Sequence, residues 1–250
     1  MSKLLTLDEW WQSIASSNMH EPFRPELLRN LPVGAVSYLT HAIAVGTPLA
    51  LSVRLKMHGE IKIGGWHPFT AEQAIQCDGS MIWEARTSML GLKVSGSDRL
   101  LQGQGHMQWK LFGLLPLVNA GGPDITKSAT GRVDIESLWL PSRLCKHDVR
   151  WTSSDTDLIQ GTFDRAGEPA PINFQLGPNG RLQRIWTQRW GNPDKLGYRF
   201  LPFGAIAEQE RTFGGFTIAS RLRAGWFFGT DRYESDGEFL RVIVDDAIFR

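Results

Sequence analysis

Three patterns in this 250-residue chain bring together groups able to move protons or hold charge. The first is His106, flanked at strand spacing by Gln102, Gln104 and Gln108. An imidazole titrates at about 6.5, near neutrality, and a row of neutral amides suits a polar stripe inside a cavity. A purely structural histidine fits the same pattern. The second is Ile82-Trp83-Glu84-Ala85-Arg86, where period-two alternation puts Glu84 and Arg86 on one face and Trp83 on the other. Such a face is either solvated or the wall of a wet cavity. The third is Arg132 and Glu136, which continue the helical stripe of Ile125 and Ala129 and so point at a sheet or its rim. They form either a surface pair worth roughly 0.3–0.5 kcal/mol or a partly desolvated pair at a pocket mouth. His106, Glu84, Arg132 and Glu136 are the candidate acid-base groups.

The absent patterns remove whole classes of chemistry. There is no GxSxG, HExxH, CxxC or GxxxxGK[ST], and Gly103-Gln104-Gly105 lacks the third glycine and the strand-to-helix setting of a dinucleotide site. No histidines fall at HxH or i, i+4 spacing, and the acidic group Asp231, Glu234, Asp236 does not fit a calcium loop. No cofactor and no metal are expected. Lys+Arg 27 against Asp+Glu 26 leaves no basic surplus for tracking phosphates, so nucleic acid is not expected as a partner. Cys77 and Cys145 are too few for a disulfide framework. Asp8 and Glu9 stand where a signal peptide would carry its apolar core, and no run reaches the roughly 18 apolar residues of a membrane span. A cytoplasmic protein with no transmembrane segment is the expectation.

The elements that must position these groups are mostly strands. Residues 1–48 read as a helical segment, with helices over 7–15 and 33–45. From Leu49 the period becomes two, and strands follow at 49–57, 69–76 and 80–88, the last two joined through Asp78-Gly79. Arg99–Phe112 reads as one long strand with Leu101, Gly103, Gly105, Met107 and Trp109 on its apolar side, bent at the two glycines. After Leu114-Leu115-Pro116, Ala120-Gly121-Gly122-Pro123 reads as loop, Asp124 as a helix cap and 124–140 as a helix ending before Pro141. Strands then recur at 149–152, 157–163, 171–176, 181–189, 205–213, 217–227 and 239–244. Hairpin-length connections imply antiparallel pairing. The expected fold is one α+β domain over 1–250, a curved antiparallel sheet forming a half-open barrel packed on the 124–140 helix. Into that half-barrel go 10 Trp and 13 Phe against 3 Tyr, more broad apolar surface than a tight core absorbs. Pockets are lined in this way.

Several separated motifs carry a resemblance: Gly64-Gly65-Trp66-His67-Pro68-Phe69-Thr70-Ala71-Glu72-Gln73, Ile82-Trp83-Glu84-Ala85, Gly96-Ser97-Asp98, Gly103-Gln104-Gly105, Gly131-Arg132 with Glu136, and Trp139-Leu140-Pro141. Across residues 20–230 the chain resembles a bacterial family of unknown function. That family is similar to the half-barrels of lipoprotein carriers, which wrap a sheet around a helix and hold apolar ligands between them. The carriers are exported, which the expected location here does not match. The resemblance implies that architecture and importance for Trp66, Trp83, Asp98, Arg132 and Glu136.

The sequence therefore points to a protein that encloses an apolar or aromatic small molecule between sheet and helix, with Trp66, Trp83, Arg86, Asp98, Met107, Trp109 and Trp139 as ligand contacts. An enzyme remains an alternative: a cofactor-independent cyclase, isomerase or lyase needs little beyond shape, dryness and a placed acid or base. A partner-binding module is a third reading, and it requires an exposed apolar patch.

Overall fold

The structure, a computed structural model, describes residues 5–14, 21–89, 91–165 and 170–250. Ahead of the sheet stand α1 (Leu7–Ser13) and α2 (Val33–Ala42). Thr6 accepts from the Glu9 amide while the Glu9 carboxylate accepts from Thr6, a reciprocal cap that opens α1. Ala15, where the sequence reading ends this helix, lies outside the described residues.

Six strands follow: β1 (Ser52–Ile63), β2 (Gly65–Gln76), β3 (Met81–Met89), β4 (Leu92–Leu101), β5 (Gln104–Leu111) and β6 (Leu115–Gly121). A helical crossing then runs through α3 (Pro123–Ile135), a 3-10 turn over Glu136–Trp139 and the short α4 (Pro141–Leu144). Seven more strands complete the chain: β7 (Val149–Ser153), β8 (Leu158–Phe163), β9 (Ile172–Leu176), β10 (Leu182–Gly191), β11 (Arg199–Phe213), β12 (Phe216–Trp226) and β13 (Glu238–Phe249). All thirteen form one open antiparallel sheet, ordered β6-β5-β4-β3-β2-β1-β13-β12-β11-β10-β9-β8-β7. The two edge strands, β6 and β7, are thus neighbours in sequence, and the helical crossing is what joins them.

Curvature follows from contacts. β5 and β10 are eight positions apart in the sheet, roughly 38 Å if it were flat, yet α3 packs against both. A helix about 10–12 Å across can do so only if the sheet curls around it. The concave face is filled by inward rows such as Val53, Leu55 and Met57, closed by α2 and α3. α1 lies on the convex face, where Leu7, Trp10, Trp11 and Ile14 cover Ala74 and Ile82.

Three expectations change. Arg99–Phe112 is not one bent strand: Gln102 and Gly103, at φ 50° and 70°, make a two-residue turn between β4 and β5. Both central residues of that turn type need positive φ, and Gln-Gly is a weaker signal than Asn-Gly. Gly105 serves a different purpose, since a Cβ there would stand 2.6 Å from Thr126 Cα; its absence lets α3 lie on the strand. Residues 115–121 form edge strand β6 although Pro116 interrupts them, which an edge tolerates. Asp124 does not cap α3. Gly122 holds the cap position with Pro123 in the first turn, and Asp124 instead accepts from the Trp190 indole at 2.8 Å.

Candidate functional site

Between α3 and the concave face lies a cavity of about 320 Å3. Strand parity decides which sequence candidates reach it. Trp83 of β3, Asp98 of β4 and Met107 of β5 are register partners and point the same way, with Trp109 two residues further along β5. All four line the cavity, joined by Arg132, Glu136 and Trp139 of the crossing. Ile61, Phe203, Leu222, Ala224, Phe239 and Leu240 supply much of the apolar wall.

The tryptophans are held open by their N–H groups. Trp109 Nε1 donates to Asp98 Oδ1 at 3.2 Å and Trp139 Nε1 to the Ala219 carbonyl at 3.0 Å. Trp83 packs against Trp109 with ring centroids 5.8 Å apart, and Gly96 opposite Trp109 leaves the space that this indole fills. An indole fixed at both ring and donor cannot swing in to fill a void.

At one end of the cavity the charges form a closed network. Arg132 donates to Glu136 Oε1 at 2.7 Å and to Asp98 Oδ2 at 2.8 Å, with its guanidinium 4.9 Å from the Trp83 ring. Glu136 Oε2 accepts from Gln73 at 2.6 Å. Burial alone would lower the Arg132 pKa, but attraction to Glu136 and Asp98 and the hydrogen bonds to both outweigh it, holding the group above its usual value. The i, i+4 spacing makes the pair possible because α3 stays α-helical to Ile135 before tightening at Glu136.

Four sequence candidates lie elsewhere. Glu84 and Arg86 project from the convex face into a polar groove of about 550 Å3 that Arg54, Lys56, Glu72 and Lys110 also line. Glu84 there accepts from the Leu7 amide at 3.0 Å and faces Arg99 at 3.5 Å, fastening α1 to the sheet. His106 alternates with Met107 and Trp109 and so turns away from the cavity; its Nδ1 is buried without a partner. Trp66 lies under Arg241, at 4.2 Å, and within 6.0 Å of Lys62. The amide row Gln104, His106 and Gln108 is present on β5, but on the face opposite Met107 and Trp109, so it lies on the convex side and Gln108 lines the outer groove.

Sequence reasoning missed Arg189, Gln73 and Trp226. The signal that could have found Arg189 is its place in an inward row with Ile185 and Thr187, in which a cation is out of place. Gln73 is wholly buried, and its Oε1 has no partner. Burial pushes the Arg189 guanidinium down to about 9, with repulsion from Arg132 adding to the shift and Glu136 and Asp98 partly offsetting it. Among the described residues no three His, Cys, Asp or Glu side chains gather as a metal site would require, and no helix is long and apolar enough to cross a membrane.

Residues 29–249 match the sequence model of a family of unknown function, DUF6920. The chain belongs to that family. Among curated proteins, none matches this DUF6920 sequence. Solved structures similar to it include the following two. One is a LolA superfamily protein from Nitrosomonas europaea, 10% identical, covering 87% of this chain and 92% of its own, with a TM-score of 0.45. The other is a domain described as an outer membrane lipoprotein-sorting protein from Vibrio parahaemolyticus, 9% identical, covering 80% and 85%, with a TM-score of 0.43. Neither likeness says what this chain binds.

Proposed function

We propose that this protein binds an apolar or aromatic small molecule in the cavity between α3 and the curved sheet. The observation that carries this reading is the cavity itself: about 320 Å3 left unfilled among Trp83, Trp109, Trp139 and Trp226, within the roughly 300–1,000 Å3 range of ligand pockets. The enzymatic alternative gains no support from the geometry, because His106 and Glu84 face away, and Glu136 and Asp98 have donors on both oxygens. Cys77 and Cys145 are free thiols, in keeping with the cytoplasmic setting that belongs to this proposal.

The test is titration with the neutral fluorophore N-phenyl-1-naphthylamine. Saturable binding with quenching of Trp emission is expected, and Ala224→Phe, which fills the cavity from β12, should weaken it at least tenfold. Circular dichroism would check that the overpacked variant, costing about 1–3 kcal/mol, still folds. Unsaturable binding, or full affinity in folded Ala224→Phe, refutes the reading.

A second reading, surface docking, is favoured by the tip of the β5–β6 hairpin. Phe112, Leu114, Leu115 and Leu117 are exposed there, Leu114 to 81%, and an apolar group of this kind marks a contact surface. Pro116 withholds an edge N–H, which discourages strand addition by another copy, and Lys93 and Lys110 flank the tip through β4 and β5. A bilayer surface with anionic lipid fits both features.

A further inference from the structure

We infer that the ligand is an amphiphile with a single carboxylate head, received by Arg189 while its tail fills the cavity; this rests on the hydrophobic-ligand reading above. Arg189 belongs to the inward row of β10 and lines the cavity. Its guanidinium lies 4.6 Å from the Phe203 ring and 4.9 Å from that of Trp226. Nε donates to the Ser128 carbonyl at 3.1 Å and Nη2 to Ser128 Oγ at 3.4 Å. A guanidinium has five N–H donors, so three are left. Among the described residues no carboxylate comes within 4.0 Å of it.

Asp98 and Glu136 are the nearest source of negative charge, and they are spent. Their four oxygens take Trp109, Arg132 twice and Gln73. Two acids and two arginines sum to zero in this network, so one added negative charge is tolerated where two would face both carboxylates. That favours a monoanionic carboxylate over a dianionic phosphate monoester, although a guanidinium pairs with either through two parallel hydrogen bonds. The aromatic walls strengthen such a bond, because charges interact more strongly where water is excluded. They also crowd the cation when the cavity is empty, which accords with its lowered pKa. Gly131 of α3 passes Arg189 so closely that a Cβ there would stand 3.3 Å from Arg189 Cγ, so the helix backbone itself holds the side chain in place. Arg132 and Glu136 of the crossing and Asp98 of β4 are the charged groups facing it, and Tyr198 lines the same cavity.

The experiment displaces N-phenyl-1-naphthylamine from the full chain with decanoate, 1-decanol and decyl phosphate, using wild type, Arg189→Met and Arg189→Lys. At pH 7.5 wild type should bind decanoate at least tenfold more tightly than 1-decanol and more tightly than decyl phosphate. Arg189→Met should bring decanoate down to the affinity of 1-decanol in the same variant, with circular dichroism checking that it folds. Arg189→Lys should keep part of the preference. Equal affinity for decanoate and 1-decanol, or a preference that survives Arg189→Met, overturns the inference and leaves the hydrophobic-ligand reading intact. An Arg189-dependent preference for decyl phosphate overturns the carboxylate assignment. Failure of decanoate and 1-decanol alike to displace the fluorophore overturns the hydrophobic-ligand reading itself.

Discussion

The two faces of strands β2 to β5 carry charge in opposite ways. On the concave side Asp98, Arg132 and Glu136 sit among Trp83 and Trp109, each side chain less than one fifth exposed, with every carboxylate oxygen engaged. On the convex side Arg54 meets Glu72 and Asp8, and Glu84 meets Arg99, in a groove whose carboxylates are 37–76% exposed. Strand alternation supplies Asp98 to the inner set and Arg54, Glu72, Glu84 and Arg99 to the outer one, while Arg132 and Glu136 reach the inner face from the helical crossing. What separates them is the element laid on top: α3 roofs the inner face and leaves its charged groups less than one fifth exposed, whereas the short α1 covers only part of the outer one. The arginines are largely buried on both sides, so the contrast lies in the carboxylates, which are enclosed and mutually dependent on the inner side and reach solvent on the outer.

Three measurements sharpen that contrast. The largest effect belongs to the inner network: Arg132→Met strands two carboxylates in an enclosed site and should cost about 3 kcal/mol or more in urea unfolding. Adding Asp98→Asn and Glu136→Gln should recover most of it, since the loss comes from unpaired charge. Unfolding should stay a single transition if residues 1–250 are one domain. A single-variant loss below about 1 kcal/mol would mean that the inner face is as screened as the outer. Glu84→Ala on the outer face removes the acceptor of the Leu7 amide and the Arg99 contact. It should cost about 1 kcal/mol and leave affinity for N-phenyl-1-naphthylamine within twofold; a tenfold loss would show that the faces communicate. At the rim, Leu114→Ser with Leu117→Ser should change stability by no more than about 0.5 kcal/mol. Wild type should sediment with phosphatidylglycerol vesicles and the double variant should not. Equal sedimentation of both excludes the hairpin tip as the docking element.

Much of the architecture was legible because it depends on local rules. The period-two rows of β1, β3 and β10 and the helical stripe Ile125, Ala129, Arg132, Glu136 were readable residue by residue, and the stripe does face the sheet. The parity of Trp83 against Glu84 was equally plain. Arg99–Phe112 misled because a Gln-Gly turn leaves the apolar alternation looking continuous on either side of it. His106 misses the cavity for a separate reason, parity: it stands on the face of β5 opposite Met107 and Trp109. β6 was hidden by Pro116, and Arg189 by the charged composition of a strand that is wet along its other face.

The sequence by itself determined which residues share a face, since alternation and helical spacing are set by backbone geometry over a few residues. Only the tertiary structure decided which face encloses the cavity. Pairing of β1 with β13 closes the centre of the sheet, and α3 crosses its concave side to join the outermost strands. The contacts that define the site span 34 residues from Asp98 to Arg132, 63 from Gln73 to Glu136 and 61 from Ser128 to Arg189. Such contacts exist only once the sheet has curled, because curvature sums small twists over many strands and no short segment carries it.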